Sequence, residues 1–175
     1  MSATMKVLPI FDAGDLIRAL PFKEIYLHPG QTYVSKEPAQ ISMILGSCAG
    51  ICIYDRRQSI GGATHYMLPQ WDGSGTPSTR YGNVAIQELL QQLHIYGSNV
   101  RELEAKVYGG ACMFEVFRED GTNDHIGSRN ISMAIDALSR HGIAIVAKDT
   151  GGENGRKVKL QSETGMVSVS LIRNS

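Results

Sequence analysis

Residues 41–69 read ISMILGSCAGICIYDRRQSIGGATHYMLP, and their pattern decides the fold. Between Pro38 and Trp71 the only formal charges are Asp55, Arg56 and Arg57, which fall between two apolar runs. Charges gathered there mark a hairpin, because the turn meets water while its strands are buried. The spacing predicts three short strands, ISMIL (41–45), AGICIY (49–54) and IGGATHYMLP (60–69). GSC forms the first junction, DRRQS the second, and Pro69 ends the third strand. Gln40, Ser42, Gly46, Ser47 and Gly50 dilute the run too far for a membrane helix, which needs about 20 predominantly apolar residues. Burial inside a globular core is expected instead.

Working outward, Ile86, Leu89, Leu90 and Leu93 follow the i, i+3, i+4, i+7 rule of a buried helical stripe, with Gly97 as terminator. Ile131, Ala134, Ile135 and Leu138 repeat it, with Asn130 as a candidate cap and Gly142 after the last turn. Each helix leads into an apolar strand, LEAKVYGG (103–110) and IAIVAKD (143–149), an arrangement open to reading as a weak internal repeat or as a coincidence of packing. CMFEVF (112–117) and MVSVSLI (166–172) alternate as further strands, and VKL (158–160) can pair with the latter. DGSGTPST (72–79) and residues 118–128 read as polar loops. The fold class is therefore α+β, with more strand than helix.

The chain has 175 residues, which suits one domain spanning 1–175. Seventeen Lys+Arg balance seventeen Asp+Glu, so no net positive charge draws the chain to nucleic acid. With 42% hydrophobic residues a sizeable core is available. The first twenty residues carry an apolar patch interrupted at Asp12, without the sustained apolar core of a secretory signal, and a cytoplasmic location is expected. Three cysteines, Cys48, Cys52 and Cys112, are an odd number and argue against a disulfide framework.

Cys48 stands in Leu45-Gly46-Ser47-Cys48-Ala49-Gly50, where small neighbours let a substrate approach the thiol. A free cysteine is mostly protonated at neutral pH and needs a base or a positive charge to become a nucleophile. Of five histidines, only His65 shares the low-charge block, on the strand expected to fold back beside the cysteine. His28 falls in a turn, His94 and His141 late in helices, and His125 in a polar loop, where structural or solvated roles suffice. Spacing alone leaves a catalytic pair and a packed thiol with a core histidine both open. A zinc site from Cys48, Cys52, Cys112 and His65 is opposed by strand geometry, since four residues of strand separate side chains by about 13 Å. The objection would lapse if residues 48–54 were helical. DTGGENGRK (149–157) invites a phosphate-cradle reading, although the G-x-x-x-x-G-K-[ST] spacing is absent.

Seven segments in order, HPG (28–30), LGSCAGICIYD (45–55), GGATHYMLP (61–69), RYGNVAIQELL (80–90), KVYGGACMF (106–114), IGSRN (126–130) and DTGG with GRKV (149–158), resemble the chemoreceptor glutamine deamidase family, CheD. The resemblance implies layered β-sheets with flanking helices, related to toxin-type glutamine deamidases. It implies a catalytic cysteine at Cys48 and a histidine at Cys48's partner His65. The family's third member is a threonine six positions before the cysteine. Ser42 stands there and keeps the hydroxyl while losing the methyl that restricts its rotamer. Thr64, adjacent to His65, would point to the opposite face of a regular strand.

The activity implied is hydrolysis of selected glutamine amides on methyl-accepting chemotaxis receptors, through a Cys48 thioester. Backbone N–H groups around Gly46, Ser47 and Cys48 are the expected oxyanion donors. The partners implied are receptor cytoplasmic helices and a CheC-type phosphatase of the response regulator. No cofactor, metal, nucleic acid or membrane insertion is implied. Two rivals stand beside this reading: a receptor glutamyl methylesterase working through the same thioester, and a non-catalytic module that regulates a phosphatase.

Overall fold

Strand β4 (Ala49–Asp55) and strand β5 (Ile60–Tyr66) pair antiparallel, with Ala49 opposite Tyr66 and Asp55 opposite Ile60. They form the expected hairpin around Arg56 and Arg57. The computed structural model describes residues 22–112 and 124–172. Its remaining elements are β1 (Lys23–Tyr26), β2 (Gln31–Ser35), β3 (Ala39–Leu45), α1 (Gly82–Ile95), a 3-10 turn (Val100–Glu102), β6 (Leu103–Gly109), α2 (Ile126–Arg140), β7 (Ala144–Thr150), β8 (Gly155–Gln161) and β9 (Val167–Ile172). The α+β class holds, as two sheets with two helices among the described residues. One sheet has the order β1-β3-β8-β9, the other β2-β5-β4-β6-β7. CMFEVF, apart from Cys112, falls outside the described residues.

The five-stranded sheet lies between the four-stranded sheet and the helices. Ala49, Ile51 and Ile53 face Leu89, Leu93, Ala134 and Leu138 of the helices. The opposite face, at Cys52 and Ala63, packs against Ile41, Met43, Leu45, Val158 and Leu160 of the other sheet. Strands buried on both faces read as continuous apolar runs, which is why residues 49–66 lack regular alternation. β3 does alternate: Ile41, Met43 and Leu45 are fully buried, whereas Ser42 is partly and Ile44 largely exposed on the outer face. The two sheets approach closely at Gly50. A Cβ there would stand 2.6 Å from Met43 Sδ and 2.8 Å from Leu45 Cδ1.

β3 and β4 do not pair with each other. β3 pairs with β1 and β8, β4 with β5 and β6, and residues 46–48 carry the chain from one sheet to the other. Apolar spacing reports that a strand is buried, but it does not say which sheet receives it. The third strand ends at Tyr66, three residues before Pro69, and Leu68 makes only an isolated bridge to Tyr81. The β8–β9 pairing sets Val158 opposite Val169, joining VKL to MVSVSLI as anticipated.

Both helices turn their expected stripes to the core, with Leu90 and Ile135 only partly buried. α1 buries Ala85, Ile86, Leu89 and Leu93, and closes at Gly97 with φ +93°, whose N–H donates to His94 O while Ser98 N donates to Leu93 O. α2 starts four residues before Asn130, so Asn130 is not its cap. The cap is His125, whose Nδ1 accepts from Ser128 N while Ser128 Oγ accepts from His125 N. β6 and β7 run parallel, joined through α2. Among the described residues no helix is long and apolar enough to cross a membrane.

Candidate active site

The link at residues 46–48 is fixed by its carbonyls. Gly46 O accepts from Ala111 N at 2.9 Å, and Cys48 O from Gly110 N at 2.8 Å. Ser47 O accepts from the side-chain Nδ2 of Asn130 at 3.0 Å. A trans peptide points its N–H opposite to its C=O. The held Gly46 O therefore sets the direction of the Ser47 N–H, and the held Ser47 O that of the Cys48 N–H. Gly109 is the contact point: its φ is +99°, and a Cβ there would lie 2.2 Å from Cys48 O. Only glycine fits, on both counts.

His65 is 1% exposed. The β4–β5 register sets it opposite Gly50, so Cys48, two residues before Gly50, is its diagonal neighbour. Cys48 packs on the same inter-sheet cluster as Leu27 and Ala63. The hairpin thus brings the two sequence candidates to one face of the sheet. His65 Nδ1 is 3.0 Å from Leu27 O. A carbonyl can only accept, so in the neutral imidazole Nδ1 carries the proton and Nε2 presents a lone pair. Nε2 is buried and has no hydrogen-bond partner among the described residues.

Electrostatics keep the pair neutral at rest. Burial lowers the His65 pKa below the ordinary 6.5, against the Leu27 hydrogen bond, which raises it; nearby His28 lowers it further. Burial pushes the Cys48 thiol up, while its own backbone N–H, which favours the thiolate, opposes this. Both shifts favour the neutral forms, thiol and imidazole.

Ser42 is placed differently from the expectation of a direct partner. Its Oγ donates to Ile25 O at 3.3 Å, and His65 Nδ1 donates to the Leu27 carbonyl instead. The alternation of β3 is the physical reason, since Ser42 faces outward from the sheet that covers His65. Ser42 still reaches the site through main chain: its carbonyl accepts from Leu27 N at 2.8 Å, on the residue that holds the imidazole. Thr64 faces away from His65, as anticipated, with its hydroxyl 2.7 Å from that of Thr32.

Cys52 is buried, its thiol pushed up to about 12 by burial against the lowering charge of Lys106. It lies inside β4, four residues of chain from Cys48. Among the described residues no three His, Cys, Asp or Glu side chains gather into a metal site. The loop at residues 149–157 turns its arginine inward. Arg156 is nearly fully buried and spends its guanidinium on Asp149 Oδ1 at 2.9 Å and on Gly151 O at 2.7 Å, with Gly109 O and Asn154 O at 3.4 Å. That loop braces Gly109.

Two contributors had no clear signal in the sequence. Leu27 acts through a carbonyl, which every residue possesses. Asn130 is an amide on an otherwise apolar helical stripe, a pattern that marks a buried polar group needing partners.

The family model described as "CheD chemotactic sensory transduction" matches residues 67–171. Three relatives carry the name "Probable chemoreceptor glutamine deamidase CheD". The one from Sulfurimonas denitrificans is 36% identical over 89% of this chain and 99% of its own. Those from Trichlorobacter lovleyi and Rhodospirillum rubrum are 40% and 37% identical, over 84% and 86% of this chain and 89% and 83% of theirs. Among solved structures, the Neisseria meningitidis protein NMB0706 aligns with a TM-score of 0.44 and 15% identity, over 79% of this chain and 67% of that one. With a family model matching more than half of its residues and relatives this similar over most of both chains, the chain belongs to the CheD family.

Proposed function

We propose that this protein deamidates selected glutamine side chains of methyl-accepting chemotaxis receptors, with Cys48 as nucleophile and His65 as general base and acid. The observation that carries the reading is the buried Nε2 of His65, without a hydrogen-bond partner among the described residues, held in the basic tautomer by Leu27 O and diagonal to Cys48 on one sheet face. The names of the relatives supply the substrate class.

His65 Nε2 takes the thiol proton as Sγ attacks the carboxamide carbon. The developing oxyanion is met by the N–H groups of Ser47 and Cys48, aimed by the held carbonyls of Gly46 and Ser47. Imidazolium then gives its proton to the leaving nitrogen, ammonia departs, and a thioester remains. His65 next activates water, which hydrolyses the thioester to glutamate and frees the thiol. Water and amide give carboxylic acid and ammonia, so no cofactor is consumed. In this scheme Ser42 is a positioning residue, bracing residues 25–27 through its hydroxyl and its carbonyl. Receptor cytoplasmic helices are the substrate, a CheC-type phosphatase is the proposed regulatory partner, and the cytoplasm is where both are met.

The test is mass spectrometry of receptor cytoplasmic fragments after incubation with the protein, following the roughly one-dalton gain of Gln to Glu and the ammonia released. Cys48→Ala should abolish the change while leaving the melting temperature close to wild type. Turnover by folded Cys48→Ala would overturn the mechanism. Methanol from methylated receptor in place of ammonia would favour the methylesterase.

A further inference from the structure

Asn130 is 0% exposed, in an early turn of α2, on the same stripe as Gly127, Ile131 and Ala134. An apolar side chain would suit that stripe better, since a buried amide is costly unless its groups are satisfied. Both amide protons are spent outside the helix. Nδ2 donates to Ser47 O at 3.0 Å and to Met67 O at 2.9 Å. One carbonyl belongs to the residue before Cys48, the other to the second residue after His65. The main chain of Asn130 is tied to the same strand end, because Tyr66 Oη donates to Asn130 O.

These contacts fix more than distance. Ser47 O and Cys48 N–H belong to one planar peptide, so a donor that holds the carbonyl sets the direction of the N–H. The neighbouring carbonyls are held by backbone N–H groups at 110 and 111, while this one is held by a side chain. We propose that Asn130 is the positioning residue of this active site, its amide locking the Ser47–Cys48 peptide to the end of the His65 strand and aiming the Cys48 N–H at the oxyanion. It touches neither the substrate nor the reacting atoms. The inference rests on Cys48 being the nucleophile.

The experiment compares wild type with Asn130→Ala, which removes the amide, and Asn130→Asp, which keeps the shape but sets a carboxylate against two carbonyls. Receptor-fragment deamidation gives kcat and KM separately, thermal melts report folding, and iodoacetamide labelling of Cys48 needs no receptor. Oxyanion contacts form only in the transition state, so kcat should fall about 10- to 100-fold with KM nearly unchanged. Labelling should slow severalfold, because the Cys48 N–H that favours its own thiolate is no longer aimed. Wild-type kcat and labelling in the folded variants would overturn the proposal. So would failure of both variants to fold at the assay temperature, which would make Asn130 a residue of the fold. If wild type shows no deamidation while labelling slows in the variants, the positioning role stands and the proposed activity falls.

Discussion

In the proposed mechanism His65 works through the contrast between its two nitrogens, one bonded to Leu27 O and one buried with no hydrogen-bond partner among the described residues. His65→Asn should lower deamidation at least about a hundredfold, since an amide cannot take the thiol proton. The pH profile follows from the two shifts. The imidazole must be neutral to act, and its pKa lies below the ordinary 6.5, so the acid limb of kcat/KM should fall below pH 6.5. The Cys48 thiol lies above the ordinary 9.0, so the rate should be level between those two values. A midpoint above 6.5 would mean that the base is another group. Ser42→Ala removes only the hydroxyl bond to Ile25 O and leaves the Ser42 carbonyl on Leu27, so turnover should drop less than tenfold, well short of His65→Asn. The placement of Cys48 and His65 on one sheet face was legible in the sequence because a small-residue turn and a hairpin suffice to bring them together. Leu27 was not, since its contribution is a carbonyl that no residue type announces.

At the scale of elements, the three-residue link between β3 and β4 depends on the end of β6. Gly109→Ala should abolish activity and destabilise the fold by several kcal/mol, because the new methyl meets Cys48 O and the residue keeps a positive φ. Paired activity and denaturation measurements would check this, and a fully active variant would show that the link is not held there. The helices, the β4–β5 hairpin and the β8–β9 pairing were readable because each is a local pattern of period and turn. The sheet change after Leu45 was not, since hairpins and crossovers both leave a short polar link between apolar runs. His125 was placed in a loop for a related reason: its capping role rests on a reciprocal bond with Ser128 rather than on a usual cap residue.

For the whole molecule, burial of His65 makes stability depend on pH. The folded state resists the proton that unfolded chain accepts near pH 6.5, so the unfolded state binds more protons as pH falls below that value. Stability should therefore decline from pH 6.5 down to the folded-state pKa and level off beneath it, and the decline should be shallower in His65→Asn. Melting temperatures across that range decide the matter. The layered architecture has a further consequence. Cys48 ends a link between two sheets, His65 belongs to one sheet, and Leu27, which orients it, adjoins a strand of the other. In the proposed mechanism, turnover thus acts as a built-in gauge of whether the sheets remain docked. Under mild denaturant, turnover should vanish while the circular dichroism of each sheet persists.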